Sequence, residues 1–371
     1  MVMIGWRAAL CIAGAGLAAA LAQAAADEID VTDYEVVNGF YGLGPADLSG
    51  IACIPVGQGK AYRCLAVNDE TQTAQFATVE DGKIEAGEEI RLIGESPDPE
   101  TVGPRPRSVP CRRITEDFEE FDGEGVAYAA PYFYVVGSHG CSRKKGKFRL
   151  STFILARIRV DQEGRPVDAA GNVLTGSQVH EAVETTYRLS DLLPRAEEAG
   201  AYFGEELDEE TKGLNIEGIA VQGENIFLGL RAPSIGGRAF IVHANVDELF
   251  KAGREPAPAT ALVETIPVAL GPDVGIRDLA PLPDGRLLIL AGAAYGDEMP
   301  YSIFVVDSTG ANLQELLPQE ADRPTRAEGM TVLEATDKEI RLLILFDKAD
   351  RAPQDVRIRH QDTHAPSTSI R

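Results

Sequence analysis

The sequence reads as all-β and as a single β-propeller, five-bladed by count with six blades as the alternative. Three observations predict this. First, one short unit recurs in five degenerate copies: Asp47-Leu48-Ser49-Gly50-Ile51-Ala52, Asp122-Gly123-Glu124-Gly125-Val126-Ala127, Asn215-Ile216-Glu217-Gly218-Ile219-Ala220, Ile276-Arg277-Asp278-Leu279-Ala280 and Arg326-Ala327-Glu328-Gly329-Met330-Thr331. Recurrence at this scale marks a repeat architecture. Second, each copy opens a set of short apolar or alternating runs bounded by Gly, Pro, Asn or Asp, which are strand signals. Third, the last set lacks a fourth strand, whereas residues 34–40 (Tyr-Glu-Val-Val-Asn-Gly-Phe) offer a spare one near the N-terminus. Radially repeated four-stranded sheets make a propeller, and an N-terminal strand completing the last blade would close the ring and remove an exposed edge.

The elements follow in order. Arg7 precedes an apolar run from Ala8 to Leu21 and the small residues Ala22-Gln23-Ala24. That is the layout of a secretory signal peptide over residues 1–24, and the run is shorter than the roughly 20 residues a transmembrane helix needs. The propeller is expected over 27–360, with a polar tail at 361–371. Its strands fall near 48–54, 61–67, 74–79 and 88–93; 124–129, 132–138, 150–160 and 181–189; 217–221, 225–231, 238–246 and 261–269; 277–282, 286–291, 301–307 and 312–316; and 328–334, 340–346 and 354–359. Residues 96–113 carry five prolines and cannot form a central strand. An insertion around 190–213 explains the wide gap between the second and third copies, and Asp191–Glu198 is expected to be a short helix.

Composition limits the class of partner. The chain has 35 basic and 58 acidic residues, a formal net charge of −23. Such a surface argues against nucleic acid and suits a solvated periplasmic or secreted protein without a transmembrane anchor. Cys11 leaves with the leader, and Cys53, Cys64, Cys111 and Cys141 remain. An even number in an exported chain predicts two disulfides. A hairpin turning at Gln58-Gly59 sets Cys53 opposite Cys64, which leaves Cys111 for Cys141. Free thiols or a metal site are the alternative, although no Cys-x-x-Cys or His-rich cluster supports zinc.

In a propeller, the starts of the first strands and the ends of the second strands share one face. Glu124, Glu217, Asp278 and Glu328 would converge there with Ser49 and Arg277 beside them. The second strands would deliver Asn68, Asp69, His139, Arg231, Asp347 and Lys348. A ring of carboxylates can ligate a hard cation such as calcium, or, without metal, crowd one another until some hold protons for acid–base work. Equally, an acidic residue before Gly can cap its own turn. Arg231, Arg277 and Lys348 could take an anion, or the arginines could pair internally with Glu217. His139 is the best-placed histidine for proton transfer. The basic run Ser138–Lys147 reads either as an anion-binding rim or as a solvated loop.

Taken together, Glu217-Gly218-Ile219-Ala220 with Gly229-Leu230-Arg231-Ala232-Pro233, Gly137-Ser138-His139 with Arg143-Lys144-Lys145-Gly146, Gly275–Ala280 and Ala327–Met330 resemble the bacterial family labelled domain of unknown function 3616, over about residues 45–350. The resemblance implies a propeller-like domain and no assigned chemistry. A more distant likeness is to exported phytase-like and esterase-like propellers, which place acidic residues at a calcium-lined channel mouth. The rim cysteines 111 and 141 depart from both patterns. The expected function is therefore a calcium-assisted hydrolase of phosphate or other anionic esters. In it Glu124, Glu217, Asp278 and Glu328 hold metal, Glu217, Glu328 and His139 act in catalysis, and Asn68, Asp69, Arg231, Arg277 and Lys348 bind the anion. The alternative is a non-catalytic module binding a small ligand or a partner protein through the same face.

Overall fold

The computed structural model describes residues 28–37, 48–57, 59–106, 111, 113–115, 118–142, 146–296, 299–320, 325–347 and 352–359. The expected leader, the polar tail, the Arg143-Lys144-Lys145 cluster and Lys348 lie outside them.

Five antiparallel sheets form the ring of a five-bladed propeller. Blade one is Leu48–Val56, Ala61–Asn68, Thr73–Glu80 and Lys83–Arg91; blade two is Gly123–Ala129, Tyr132–Gly137, Leu155–Arg159 and Val183–Thr186. Blade three is Asn215–Gln222, Asn225–Ile235, Arg238–Asn245 and Val263–Val268; blade four is Val274–Pro281, Leu287–Ala293, Ser302–Val306 and Gln314–Leu317. Blade five joins Ala327–Ala335, Glu339–Phe346 and Gln354–Arg359 to the N-terminal strand Glu28–Asp33. The first strand of each blade is innermost. Because both faces of a blade meet a neighbour, these strands are buried on both sides, as the unbroken burial of Asn215–Val221 shows. Apolar clusters fill the spaces between successive blades; Leu288, Leu290, Leu342 and Ile344 share one such space between blades four and five.

The N-terminal strand does close the last blade, but it lies earlier than expected. Glu28–Asp33 pairs antiparallel with Gln354–Arg359, whereas Glu35–Val37 adds in parallel to the outer strand of blade one. Charge explains the choice. Asp30 accepts from Arg359 at 2.6 Å across the seam, so the acids of this stretch complement an Arg-rich partner strand. Tyr34 is buried at the crossing, its hydroxyl accepting from Arg341 at 2.9 Å.

Both disulfides form as expected, Cys53–Cys64 across the blade-one hairpin and Cys111–Cys141. They suit an oxidising compartment, and among the described residues no helix is long and apolar enough to cross a membrane. The predicted strand at 150–160 is shorter: Leu150–Phe153 turns as a 3-10 helix, with Thr152 Oγ1 donating to Arg149 O at 3.1 Å. The insertion is helical only in short pieces, Leu189–Leu192 and Glu197–Gly200.

Candidate functional site

The five inner strands share an irregularity that the strand alternation alone does not announce. In each, the ladder to the second strand skips one residue. Pairing jumps from Leu48–Asn68 to Gly50–Val67, from Gly123–Gly137 to Gly125–Val136, and from Ile216–Leu230 to Gly218–Gly229. It jumps likewise from Ile276–Ala291 to Asp278–Leu290 and from Ala327–Phe346 to Gly329–Leu345. The skipped residues are Ser49, Glu124, Glu217, Arg277 and Glu328. A bulged residue is released from the ladder and its side chain is re-aimed. All five line a single funnel of about 700 Å³.

The residue after each bulge explains the repeated glycine. A Cβ on Gly50 would lie 2.7 Å from Gly125 Cα, one on Gly125 2.7 Å from Glu217 O, and one on Gly218 2.9 Å from the Asp278 carbonyl carbon. Inner strands of adjacent blades touch backbone to backbone at these points. Blade four has Asp278 instead of glycine, and this corrects the expected ring of acids. Asp278 is fully buried and does not line the funnel. Its Oδ1 accepts from Leu279 N and its Oδ2 from Met330 N, both at 2.7 Å, so it ties blade four to blade five. Burial pushes its carboxyl well above the usual range, against the pull of the Met330, Leu279 and Ile219 N–H donors. The funnel position in blade four belongs to Arg277.

That exchange makes a continuous charge network. Arg231 Nη1 donates to Glu217 Oε1 at 2.7 Å and its Nε to Ala294 O at 2.9 Å. Arg277 Nε stands 2.8 Å from Glu217 Oε2, out of line for a hydrogen bond, and its Nη2 donates to Glu328 Oε2. Glu217, Arg231, Arg277 and Glu328 are each at most 8% exposed, a low-dielectric setting in which ionised groups must be paired. Burial raises the Glu328 carboxyl, with Arg277 pulling the other way.

The funnel also holds a cluster of acids beside this network. Glu124 keeps some solvent access, yet its depth and then the Asp122, Glu217, Asp69 and Glu328 carboxylates hold it well above the ordinary carboxylate range. Asp69 is raised to about 7 by burial first, then by Asp122, Asp347 and Glu70. Asp122 accepts from Ser138 Oγ.

Other expected site residues lie elsewhere. His139 is wholly buried against the edge of Phe153, with Nδ1 2.8 Å from Gly137 O, and it is not on the funnel wall. Burial lowers its pKa to about 4, so the ring is neutral at ordinary pH. Asn68 caps a turn, accepting from Thr71 N at 3.0 Å and Thr71 Oγ1 at 2.8 Å. The geometry also brings in residues that the sequence reasoning passed over. Asn215 opens the repeated unit and was legible there; Leu207, Tyr295 and Met299 come from irregular segments with no periodic signal.

Of the four expected cation ligands, Glu124, Glu217 and Glu328 share the funnel and Asp278 stands apart. Among the described residues no three His, Cys, Asp or Glu side chains are grouped to hold a metal ion. Glu217 and Glu328 face guanidiniums and Asp278 faces backbone N–H groups, so a hard cation would have to displace these partners.

No curated protein matches the sequence. Solved structures of similar fold include a protein of unknown function from Dyadobacter fermentans DSM 18053, with 12% identity over 89% of this chain and 99% of that one and a TM-score of 0.42. Another is a family 117 glycoside hydrolase from the marine bacterium Zobellia galactanivorans, with 10% identity over 89% and 90% and a TM-score of 0.40. Likenesses this distant say nothing of activity. The family described as "Protein of unknown function (DUF3616)" matches residues 109–363, which is most of the chain. By that match, and by the repeated unit it contains, the protein belongs to the DUF3616 family.

Proposed function

We propose that this protein is an exported ligand-binding propeller whose funnel takes a small polar molecule. The observation that carries the reading is the ring of five bulged side chains, aimed at one cavity, three of them held in one network of ion pairs. Pairing of this kind fixes side chains before a ligand arrives, and pre-organisation lowers the entropic cost of binding. The two disulfides support an extracytoplasmic setting.

The anionic-ester hydrolase is the second reading. Asp69, raised to about 7, favours it: a carboxyl that exchanges its proton near neutrality is one that general acid–base catalysis can use. Against its ester-binding part, both guanidiniums that would receive the anion are occupied by Glu217 and Glu328.

The test is a thermal melt of the mature protein, chelated, against calcium and against a set of small polar compounds. A ligand specific for the native state raises the midpoint saturably. The binding reading expects such a shift from at least one polar compound and its loss in Glu217→Gln. Turnover of a generic phosphoester, abolished in Asp69→Asn, would favour the hydrolase. The same response of wild type and Glu217→Gln to every compound would overturn the binding reading, and no turnover of any ester would overturn the hydrolase.

A further inference from the structure

We infer that the ligand of this funnel is an uncharged polyhydroxy compound, of the sugar or cyclitol kind, that donates hydroxyl hydrogen bonds to Asn215 and Glu217. The inference rests on the ligand-binding reading above and deepens it.

Donors and acceptors on the funnel floor are unequally satisfied. The guanidinium groups are engaged: Arg231 with Glu217 and Ala294 O, Arg277 with Glu217, Glu328 and, at 3.4 Å, Ala293 O. Two acceptors are less well met: Asn215 Oδ1 has no donor, and Glu217 Oε2 has only its ion pair with Arg277 Nε. Asn215 is 7% and Glu217 2% exposed, and neither Asn215 Oδ1 nor Glu217 Oε2 receives an aligned hydrogen bond. Both residues line the funnel. A buried acceptor without an aligned donor is costly, and a ligand that supplies one recovers part of that cost on binding.

Charge then selects among donors. An ammonium donating to Glu217 Oε2 would approach Arg277 Nε, which is 2.8 Å from that same oxygen. Like charges at such range repel strongly in a buried site. An anion fares no better, because the buried arginines are already paired with Glu217 and Glu328. Of the other cations lining the funnel, Arg149 pairs with Glu120 and Arg326 with Asp347, and Lys147 is engaged as well. A neutral hydroxyl meets neither penalty. The walls agree: Leu207, Tyr295 and Met299 add an apolar side that a bare ion cannot use but the C–H face of a ring can. Near pH 7 Asp69, poised at about 7, can either accept from or donate to a hydroxyl.

The experiment is a binding screen of the full mature protein against saccharides of matched backbone in neutral, amino and uronic or phosphorylated forms, alongside a set of polar non-sugar fragments. Expected is saturable binding confined to neutral saccharides or cyclitols, weakened on the order of tenfold in Asn215→Leu. Tyr295→Ala provides a second variant should Asn215→Leu fail to fold, with the same expected weakening. Binding only by charged saccharides, or by none, overturns the inference. If non-sugar fragments bind wild type but not the variants, the funnel is still a binding site and only the ligand class is wrong. If nothing in either set binds, the ligand-binding reading falls as well.

Discussion

Replacing Arg277 by Leu removes the cation that contacts both Glu217 and Glu328, and the structure sets the scale of the loss. Arg277 is 6% exposed, and the two carboxylates are themselves 2% and 8% exposed. Glu217 would keep Arg231, but Glu328 would keep no ion-pair partner among the described residues. Breaking a buried pair by deleting one partner costs about 3–5 kcal/mol, because a desolvated charge is left behind. For a domain of this size that corresponds to a fall in melting midpoint of roughly 6–10 °C, at about 2 °C per kcal/mol. The loss must also depend on pH. In the variant, burial and mutual repulsion raise the folded-state carboxyl pKa values above the unfolded value. Such groups are protonated in both states at low pH and cost least there; the folded state loses stability as pH rises through the raised values. Denaturant or thermal unfolding of wild type and variant across the acidic-to-neutral range checks this. Glu328→Gln added to Arg277→Leu should recover most of the loss. A variant that melts with the wild type at pH 8, or a loss that does not change with pH, would refute the claim that this network is a paired buried charge cluster.

Other substitutions probe the ring, the staples and the acidic wall. Gly125→Ala would place its Cβ 2.7 Å from Glu217 O and 2.9 Å from Ile219 Cγ2, contacts with limited room to yield, so unfolding should reveal a cost of about 1–3 kcal/mol. Gly296→Ala, where nothing lies within 4 Å, should cost much less. Removing Cys111–Cys141, which closes a 30-residue separation, should lower stability more than removing Cys53–Cys64, separated by 11, at about 4 against about 3 kcal/mol in the chain-entropy account; urea midpoints of the two double-Ala variants test the order. Asp69 carries a folded pKa raised to about 7 from 3.8, so its ionisation costs stability progressively between those values. Asp69→Asn should therefore melt above the wild type at pH 8 and with it below pH 4.

Much of this was legible in the repeated unit. The Gly of Ser49-Gly50, Glu124-Gly125, Glu217-Gly218 and Glu328-Gly329 marks backbone contact between blades, and the residue before it marks the funnel. Blade four was misread because Asp278 was matched to the acids. Aligning Leu279-Ala280 with Ile219-Ala220 instead sets Arg277 opposite Glu217, which is where the bulge puts it. His139 shows a different limit. Its strand ends on the right face, but a backbone φ of +51° and the space beside Phe153 carry the ring inward, and neither is encoded in hydrophobic periodicity. An N-terminal strand does close the last blade, but its position is legible only from the far end of the domain, because its acids find their meaning opposite Arg357 and Arg359.

Arg277 also decides what kind of site the ring can be. With Ser49, Glu124, Glu217 and Glu328 at the other four bulges, an uncharged residue at position 277 would leave three carboxylates around one cavity and Arg231 as the buried guanidinium to offset them. Carboxylate oxygens in that number suit a hard cation, which would replace the missing positive charge. Calcium titrated into Arg277→Ser should thus raise its melting midpoint toward that of the wild type, as ligand linked to the folded state must. Wild type, with the guanidinium in place, should respond far less. Equal responses would mean that calcium binds elsewhere and that the fourth bulge does not set the ring's preference. A large response confined to the variant would show that one substitution at a bulge separates an ion site from a neutral one on an unchanged propeller.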